Sequence, residues 1–505
     1  MKQLTELKSW IALEQHSESL RLLPFNDLKE TFGARDKLLK LHAPGLSIDF
    51  THQRINETTL NLLIDLANER HLKEKINDLL NGIKVNQSEN RPALHSALRA
   101  SDEKSIWVDG HNIMPDIIVT REKMKEISNR IRDGQWYGHS GKPITDVVNI
   151  GIGGSDFGPR FCISALKDYV KSDLGFHFVS DADPRAFENA VEKLKPETTL
   201  FIISSKSFTT TETLYNAEKA LSWINNYQHL DKHFIAVTAN VDKAKEFGIP
   251  TILPIWNWVG GRYSLCSAIN LITCIAIGYD CFSELLAGAN SMDEHFATKE
   301  LHENIPVLIA LIGLWNINFL HCSTLLILVY AKQLEQLVPY IQQLDMESNG
   351  KSIDNHGRSV NHATGPIVWG GIGNQAQHSY YQLLCQGTHK VAADFISTLE
   401  YQGDLIDSFC NAKMRVLSEG TSSHADPNGY IPGGMPINHI RLESCSPFCF
   451  GALVALYEHK VYVQSVLWNI NPFDQPGVES AKRQKAIFDK QKRQQTLVTS
   501  EVESI

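Results

Sequence analysis

The stretch Leu200-Phe201-Ile202-Ile203-Ser204-Ser205-Lys206-Ser207-Phe208-Thr209-Thr210-Thr211-Glu212-Thr213 decides the fold. Leu200 to Ile203 has the length and β-branching of a buried strand, and it stops at a cluster of small hydroxyl residues that opens a helix-compatible segment. The first N–H groups of a helix lack intrahelical acceptors and carry the positive end of its dipole, so a strand-to-helix turn of this kind suits an anion. An ordinary N-cap needs one Ser or Thr. Seven hydroxyl side chains fall between Ser204 and Thr213, with Lys206 among them, and that density favours a phosphate cradle.

The same alternation extends on both sides. Strands are predicted at Asp146 to Ile150, Gly175 to Val179, Thr199 to Ile203, Phe234 to Val237 and Thr251 to Leu253, with helical segments such as Arg160 to Tyr169 between them. A second set is predicted at Ile367 to Trp369, Ala392 to Ser397 and Ile437 to Leu442, with helices at Ser379 to Leu384, Leu405 to Leu417 and Phe450 to Tyr462. Strands alternating with helices give an α/β fold, doubly wound, with parallel sheets covered on both faces and ligands at the carboxyl ends of the strands. Residues 1 to about 120 read as helices, including Asn56 to Ala67 and His71 to Ile83. Ala93 to Arg99 reads as a packed surface helix. Ile305 to Tyr330 is long and apolar, but Asn316, Asn318, His321, Ser323 and Thr324 interrupt it; a buried core helix is expected rather than a membrane span.

Composition narrows the function. The 505 residues carry a formal net charge of −9, with 43% hydrophobic and 21% charged residues, which is globular and offers no electrostatic case for nucleic acid or membrane partners. Nine cysteines without a Cys-x-x-Cys pair suggest buried reduced thiols. The opening Met-Lys-Gln-Leu-Thr-Glu-Leu-Lys lacks the apolar core of a signal peptide, so a cytoplasmic location is expected.

Several motifs carry chemistry. Gly151-Ile152-Gly153-Gly154-Ser155-Asp156 lacks the third glycine of a dinucleotide fingerprint, and no Gly-Lys-Ser/Thr follows for a nucleotide phosphate loop. Its bare backbone and the Ser155 hydroxyl suit a polyol or a small phosphate ester. Val259-Gly260-Gly261-Arg262-Tyr263-Ser264 sets an arginine beside exposed backbone, able to face an anion or a developing oxyanion. Gln343-Leu344-Asp345-Met346-Glu347-Ser348-Asn349-Gly350-Lys351 offers a carboxylate that could be a general base or a solvated helix end. Gln377-His378 opens a predicted helix. His356 and His362 match no common zinc spacing. Phe473-Asp474-Gln475-Pro476-Gly477-Val478-Glu479-Ser480-Ala481-Lys482 places a Pro-Gly turn ahead of a helix.

Taken together, and with Thr364-Gly365-Pro366-Ile367-Val368-Trp369-Gly370, these ordered runs resemble the phosphoglucose isomerase family of the sugar-isomerase (SIS) fold. The resemblance implies two SIS-type parallel-sheet subdomains: a helical N-terminal segment over 1–120, a first α/β unit over 121–285, a second over 286–482 and a C-terminal helical tail over 483–505. It implies reversible conversion of glucose 6-phosphate to fructose 6-phosphate through ring opening and a cis-enediol(ate), with no metal and no organic cofactor. Residue by residue, it implies Glu347 as base, Arg262 as enediolate stabiliser, and His378 with Lys482 for ring opening. Ser205, Lys206, Ser207, Thr210 and Thr213 fall on the phosphate loop, Gly154 and Ser155 on a substrate-contacting turn, and Gln343 and Gln475 on positioning glutamines. It further implies a homodimer with His378 serving the neighbouring subunit's site. The chain departs from the family pattern at Asn374-Gln375-Ala376 before Gln377-His378, and at Pro476. Two other readings stand beside this one: a SIS-type sugar-phosphate-binding regulator, and a related phosphosugar isomerase with relaxed C2 specificity.

Overall fold

The structure, a computed structural model, describes residues 3–33, 35–421, 428–485 and 488. Its strands in chain order are β1 (Lys40–Ala43), β2 (Leu46–Asp49), β3 (Trp107–Val108), β4 (His111–Asn112), β5 (Asp146–Gly151), β6 (Gly175–Val179), β7 (Thr199–Ser204), β8 (Phe234–Thr238), β9 (Thr251–Pro254), β10 (Thr324–Val329), β11 (Ile367–Ile372), β12 (Val391–Thr398) and β13 (Ile437–Leu442). β3 and β4 form a small antiparallel ribbon. The others build two sheets.

The first sheet has the order β6-β5-β7-β8-β9 and is parallel throughout. All six residues of β7 are buried, because helices cover both faces and an apolar, β-branched run can satisfy both at once. From β5 the chain winds first outward to β6 and then back past β5 to β7. The order therefore reverses between β5 and β7, where Gly151 pairs with Ser204. Such a reversal opens a crevice beyond the strand ends.

The second sheet has the order β1-β2-β13-β12-β10-β11. Its strands β10 to β13 are parallel and reverse direction of winding about β10 in the same way. The doubly wound α/β reading thus holds for both halves. β10 corrects the expectation of one long helix over Ile305 to Tyr330. An α-helix ends at Leu314, a π-helical turn follows at Trp315–Phe319, and His321 adopts a left-handed φ of 61° before the chain extends into the strand. Apolarity on every side marks a buried segment, but it has no period to separate helix from strand. Among the described residues no helix is long and apolar enough to cross a membrane.

The N-terminal region also differs from the expected run of helices. β1 and β2 form a hairpin, and β2 lies antiparallel against β13, with His439 opposite Asp49 and Leu442 opposite Leu46. Ala93 to Arg99 is not on the surface. His95–Arg99 is a fully buried 3-10 turn whose arginine meets Asp293 and Glu458. Pro447–Trp468, apolar nearly all round, is the central core helix and runs against Tyr279–Thr298. A β-carbon on Gly288 would lie 1.9 Å from Phe448 O, and one on Gly451 would lie 2.0 Å from Leu285 O, so the two backbones meet directly. All nine cysteines are free. Residues 476–485 are helical, whereas 486–487 and 489–505 of the expected tail lie outside the described residues.

Candidate active site

The hydroxyl-rich loop leaves β7 at the crevice. Ser205 N–H donates to Val237 O at 3.0 Å, and Phe208 turns back with a φ of 50° and a hydrogen bond to Ser205 O. Its ring is 2% exposed and packs edge-on against Phe247, so the tight turn is fixed by a buried anchor. Thr210 then caps the helix Thr211–Ile224. Among the described residues the N–H groups of Lys206, Ser207 and Thr211 to Thr213 find no backbone acceptor. The Thr213 hydroxyl is buried and has no hydrogen-bond partner, although nearly every buried polar atom has one. Donors without acceptors at a helix N-terminus form an anion site.

Lys206 does not point into that cradle. Its ammonium donates to Asn257 O at 2.9 Å and Val259 O at 2.7 Å, and burial, with a smaller push from Arg91, brings its pKa down to about 8. The side chain ties the loop to the segment leading into Gly260 and Gly261 through two of its three N–H donors, which leaves its backbone N–H and one ammonium hydrogen for an anion.

The glycine turn at the end of β5 is held from the same strand. Ser204 donates to the Asn149 side-chain oxygen, and the Asn149 amide donates to Ser155 O, both at 2.9 Å. Gly154 has no room for a side chain: a β-carbon would lie 2.0 Å from Gly261 O. The turn Gly153–Ser155 is thereby pressed against the 3-10 turn Gly261–Tyr263 that carries Arg262.

Arg262 organises what lies below. Its Nε donates to Ser348 Oγ at 2.7 Å, Nη1 to Gln475 Oε1 at 3.0 Å, and Nη2 to Pro472 O and Asp474 O at 2.6 and 2.9 Å. The guanidinium is 3% exposed, and Nη1 also lies 3.2 Å from Glu347 Oε2. That carboxylate accepts a hydrogen bond from Gln343 Nε2 at 3.1 Å. Gln343 belongs to a π-helical turn, Gln342–Met346, that runs into the short helix Glu347–Asn349, and widened turns of this kind concentrate at functional sites. Glu347 keeps 24% of its side chain exposed, so the fixed carboxylate still has an open side.

The geometry therefore brings Gly154, Arg262, Gln343, Glu347 and Gln475 into one constellation, with the loop of Ser205 to Thr213 on the neighbouring strand end. Among the described residues His378 and Lys482 make no hydrogen bond or ion pair with it. His378 lies exposed in the turn between Gly373–Ala376 and Tyr381–Gln386 rather than opening a helix, and Lys482 pairs, among the described residues, with Glu479 at 3.4 Å. Ser348, Tyr263 and Lys351 carry contacts to which the sequence reading gave no role. Tyr263 OH lies 3.1 Å from Ser348 Oγ, and His95 stacks on the Tyr263 ring. All three sit inside the motif runs, and that is the only signal they give. No group of three or more His, Cys, Asp or Glu side chains is placed to hold a metal ion among the described residues.

Comparison with known proteins shows the family. The chain is 58% identical over 482 residues to a glucose-6-phosphate isomerase of Legionella pneumophila (strain Lens), covering 95% of this chain and 97% of the relative. It is 42% identical over 506 residues to one of Hahella chejuensis, covering 94% and 91%. A crystal structure of a glucose-6-phosphate isomerase from Chlamydia trachomatis superposes with a TM-score of 0.89 at 29% identity, covering 97% of this chain and 96% of that one. The family model for phosphoglucose isomerase matches residues 49–504, and the chain belongs to the phosphoglucose isomerase family.

Proposed function

We propose that this chain interconverts glucose 6-phosphate and fructose 6-phosphate, an aldose–ketose isomerisation of glycolysis and gluconeogenesis. The observation that carries the reading is the Glu347 carboxylate, held by Gln343 and Arg262 with one side open, in a chain of this family. The phosphate sits on the N–H groups and hydroxyls at the start of Thr211–Ile224. That leaves C1 and C2 of the opened sugar for Glu347. The carboxylate takes the C2 proton, the C–H electron pair becomes the C1–C2 double bond, and the carbonyl electrons move to O1. Arg262 stabilises that oxyanion, a role that does not require a metal. Return of the proton to C1, with the hydroxyl proton passing from O2 to O1, leaves the ketone at C2.

Ring opening is assigned to His378 and Lys482. The exposure of His378 fits a homodimer in which it completes the neighbour's site. The enzyme is placed in the cytoplasm. A sugar-phosphate-binding regulator needs the cradle and not the base, and so leaves the Gln343–Glu347–Arg262 arrangement without a purpose.

A coupled assay for fructose 6-phosphate tests the reading. The wild type turns over, and Glu347→Gln loses about 10²–10⁴-fold in kcat, the contribution of a positioned general base, while still binding substrate. Full activity in that variant removes Glu347 from the mechanism.

A further inference from the structure

Lys351 lies four residues beyond Glu347, and its surroundings are unusual for a lysine. Its ammonium donates to Glu347 O at 3.2 Å, Ser348 O at 3.0 Å, Asn471 O at 2.9 Å and Asp474 O at 2.9 Å, and it lies 3.3 Å from a carboxylate oxygen of Asp474. Only 11% of the side chain is exposed. Two of these oxygens end the helical turn Glu347–Asn349, where carbonyls lack intrahelical donors, and a lysine capping them would be ordinary. The other two belong to the segment that reaches Gln475, and capping does not account for them.

Asp474 O is shared. It accepts from Lys351 Nζ and from Arg262 Nη2, both at 2.9 Å. The base turn, the Gln475 segment and the Arg262 guanidinium are thus joined at one carbonyl oxygen and one ammonium. Beyond that segment a cavity of about 460 Å³ opens between Ser88, Lys351, Asp354, Asn471, Asp474 and Gly477, so close packing does not fix its backbone from that side. Phe473 is buried against Tyr263 and Tyr462, and Ser88 holds Asp474, but these anchors grip side chains; the carbonyls are held by Arg262 at Pro472 and Asp474 and by Lys351 at Asn471 and Asp474.

We propose that Lys351 is a positioning residue for the isomerisation: it locks the carbonyls of 471–474 to the end of the Glu347 turn, and so sets the distance from Glu347 to Arg262 and Gln475. Without the ammonium, the Glu347, Ser348 and Asn471 carbonyls lose a donor and Asp474 O keeps only Arg262 Nη2, so the base turn is tied to the 471–474 segment through Arg262 alone. The proposal rests on the isomerase reading, and the experiment separates the two.

Steady-state kinetics are measured on the full chain for the wild type and Lys351→Met, below their unfolding temperatures. Lys351→Met loses about 100-fold in kcat, the scale of a 1 Å misplacement of catalytic groups, while KM and the Kd for inorganic phosphate stay within about threefold because the cradle lies on β7. The wild type gives an independent readout. Burial and Arg262 bring the Lys351 pKa down to about 8 against the opposing pull of Asp474 and Glu347, so kcat falls as pH rises through that value. Lys206 titrates in the same range, but on the cradle side, and its deprotonation shows in phosphate Kd instead. A folded Lys351→Met with kcat within threefold of the wild type overturns the proposal. Should Lys351→Met not fold, a wild-type kcat that is flat from about pH 7 to 9.5 overturns it. An inactive wild type instead overturns the isomerase reading.

Discussion

Replacing Thr213 by valine has opposite effects on the free protein and on its complex. Thr213 is 3% exposed, and its hydroxyl has no partner. A buried polar atom left unpaired costs about 1–3 kcal/mol. Valine keeps the shape and removes the hydroxyl, so the free variant is as stable as the wild type or more stable by about 1 kcal/mol. With ligand bound the sign reverses. A hydrogen bond to a charged phosphate contributes about 1.5–3 kcal/mol, which is roughly 10- to 150-fold in Kd. Calorimetric titration with fructose 6-phosphate and with inorganic phosphate reads the second effect, and denaturant unfolding without ligand reads the first. Turnover falls as well, because grip on the phosphate helps to position the reacting end. An unchanged Kd would falsify the cradle. A loss of more than about 1 kcal/mol in the free protein would show that the hydroxyl already has a partner.

Two further outcomes concern the interior and the assembly. Arg99 donates to both oxygens of Asp293 at 2.8 Å and to Glu458 at 2.5 Å, with His459 Nε2 2.6 Å from Asp293. Burial pushes the Asp293 carboxyl up, but the Arg99 charge and the hydrogen bonds from His459 and Arg99 outweigh it and hold the pKa below the usual carboxylate range; burial raises Glu458 to about 7 against the pull of Arg99. Asp293 therefore stabilises the fold above its unfolded pKa and loses that contribution as pH falls, whereas Glu458 costs stability increasingly from about pH 4.5 up to 7. Arg99→Met leaves both carboxylates without their cation and costs about 3–5 kcal/mol at pH 7. The deficit shrinks toward pH 5 as they protonate, and a pH-independent deficit in denaturant unfolding contradicts this account. For the assembly, dilution to monomer, followed by sedimentation beside turnover, abolishes activity; a fully active monomer removes His378 from the neighbour's site.

The sequence was most readable where one segment answers to one environment. β6 and β13 have the bounds their residues suggest, because apolar or β-branched runs end there at small or charged residues. β10 was hidden because Leu-Leu-Ile-Leu-Val continues the apolar character of the helix before it, and both are buried on all sides. Four-residue strands such as β1 and β2 are too short to show a period. Within the site, Glu347, Gln343 and Arg262 lie in motifs whose chemistry is visible. The contacts of Lys351 with Asn471 and Asp474, and of Arg99 with Asp293 and Glu458, are not, since these partners stand more than one hundred positions along the chain. Lys206 adds a contact that its charge did not suggest: two backbone carbonyls take two of its three N–H donors.

The hairpin of β1 and β2 has a consequence for how the molecule is made. β2 leaves the ribosome with Leu46 and Ile48 ready to face a core, but the strand it must join, β13, begins at Ile437, about 390 residues later. At roughly 5–20 residues per second that is a wait of about 20–80 s. Through that interval the β1–β2 hairpin carries one unpaired edge, and once β13 arrives the second sheet has a raw edge unless the first-made segment is still free to close it. The earliest part of the chain is thus the last to be placed, and a partly made molecule is most prone to pairing with another copy at that edge.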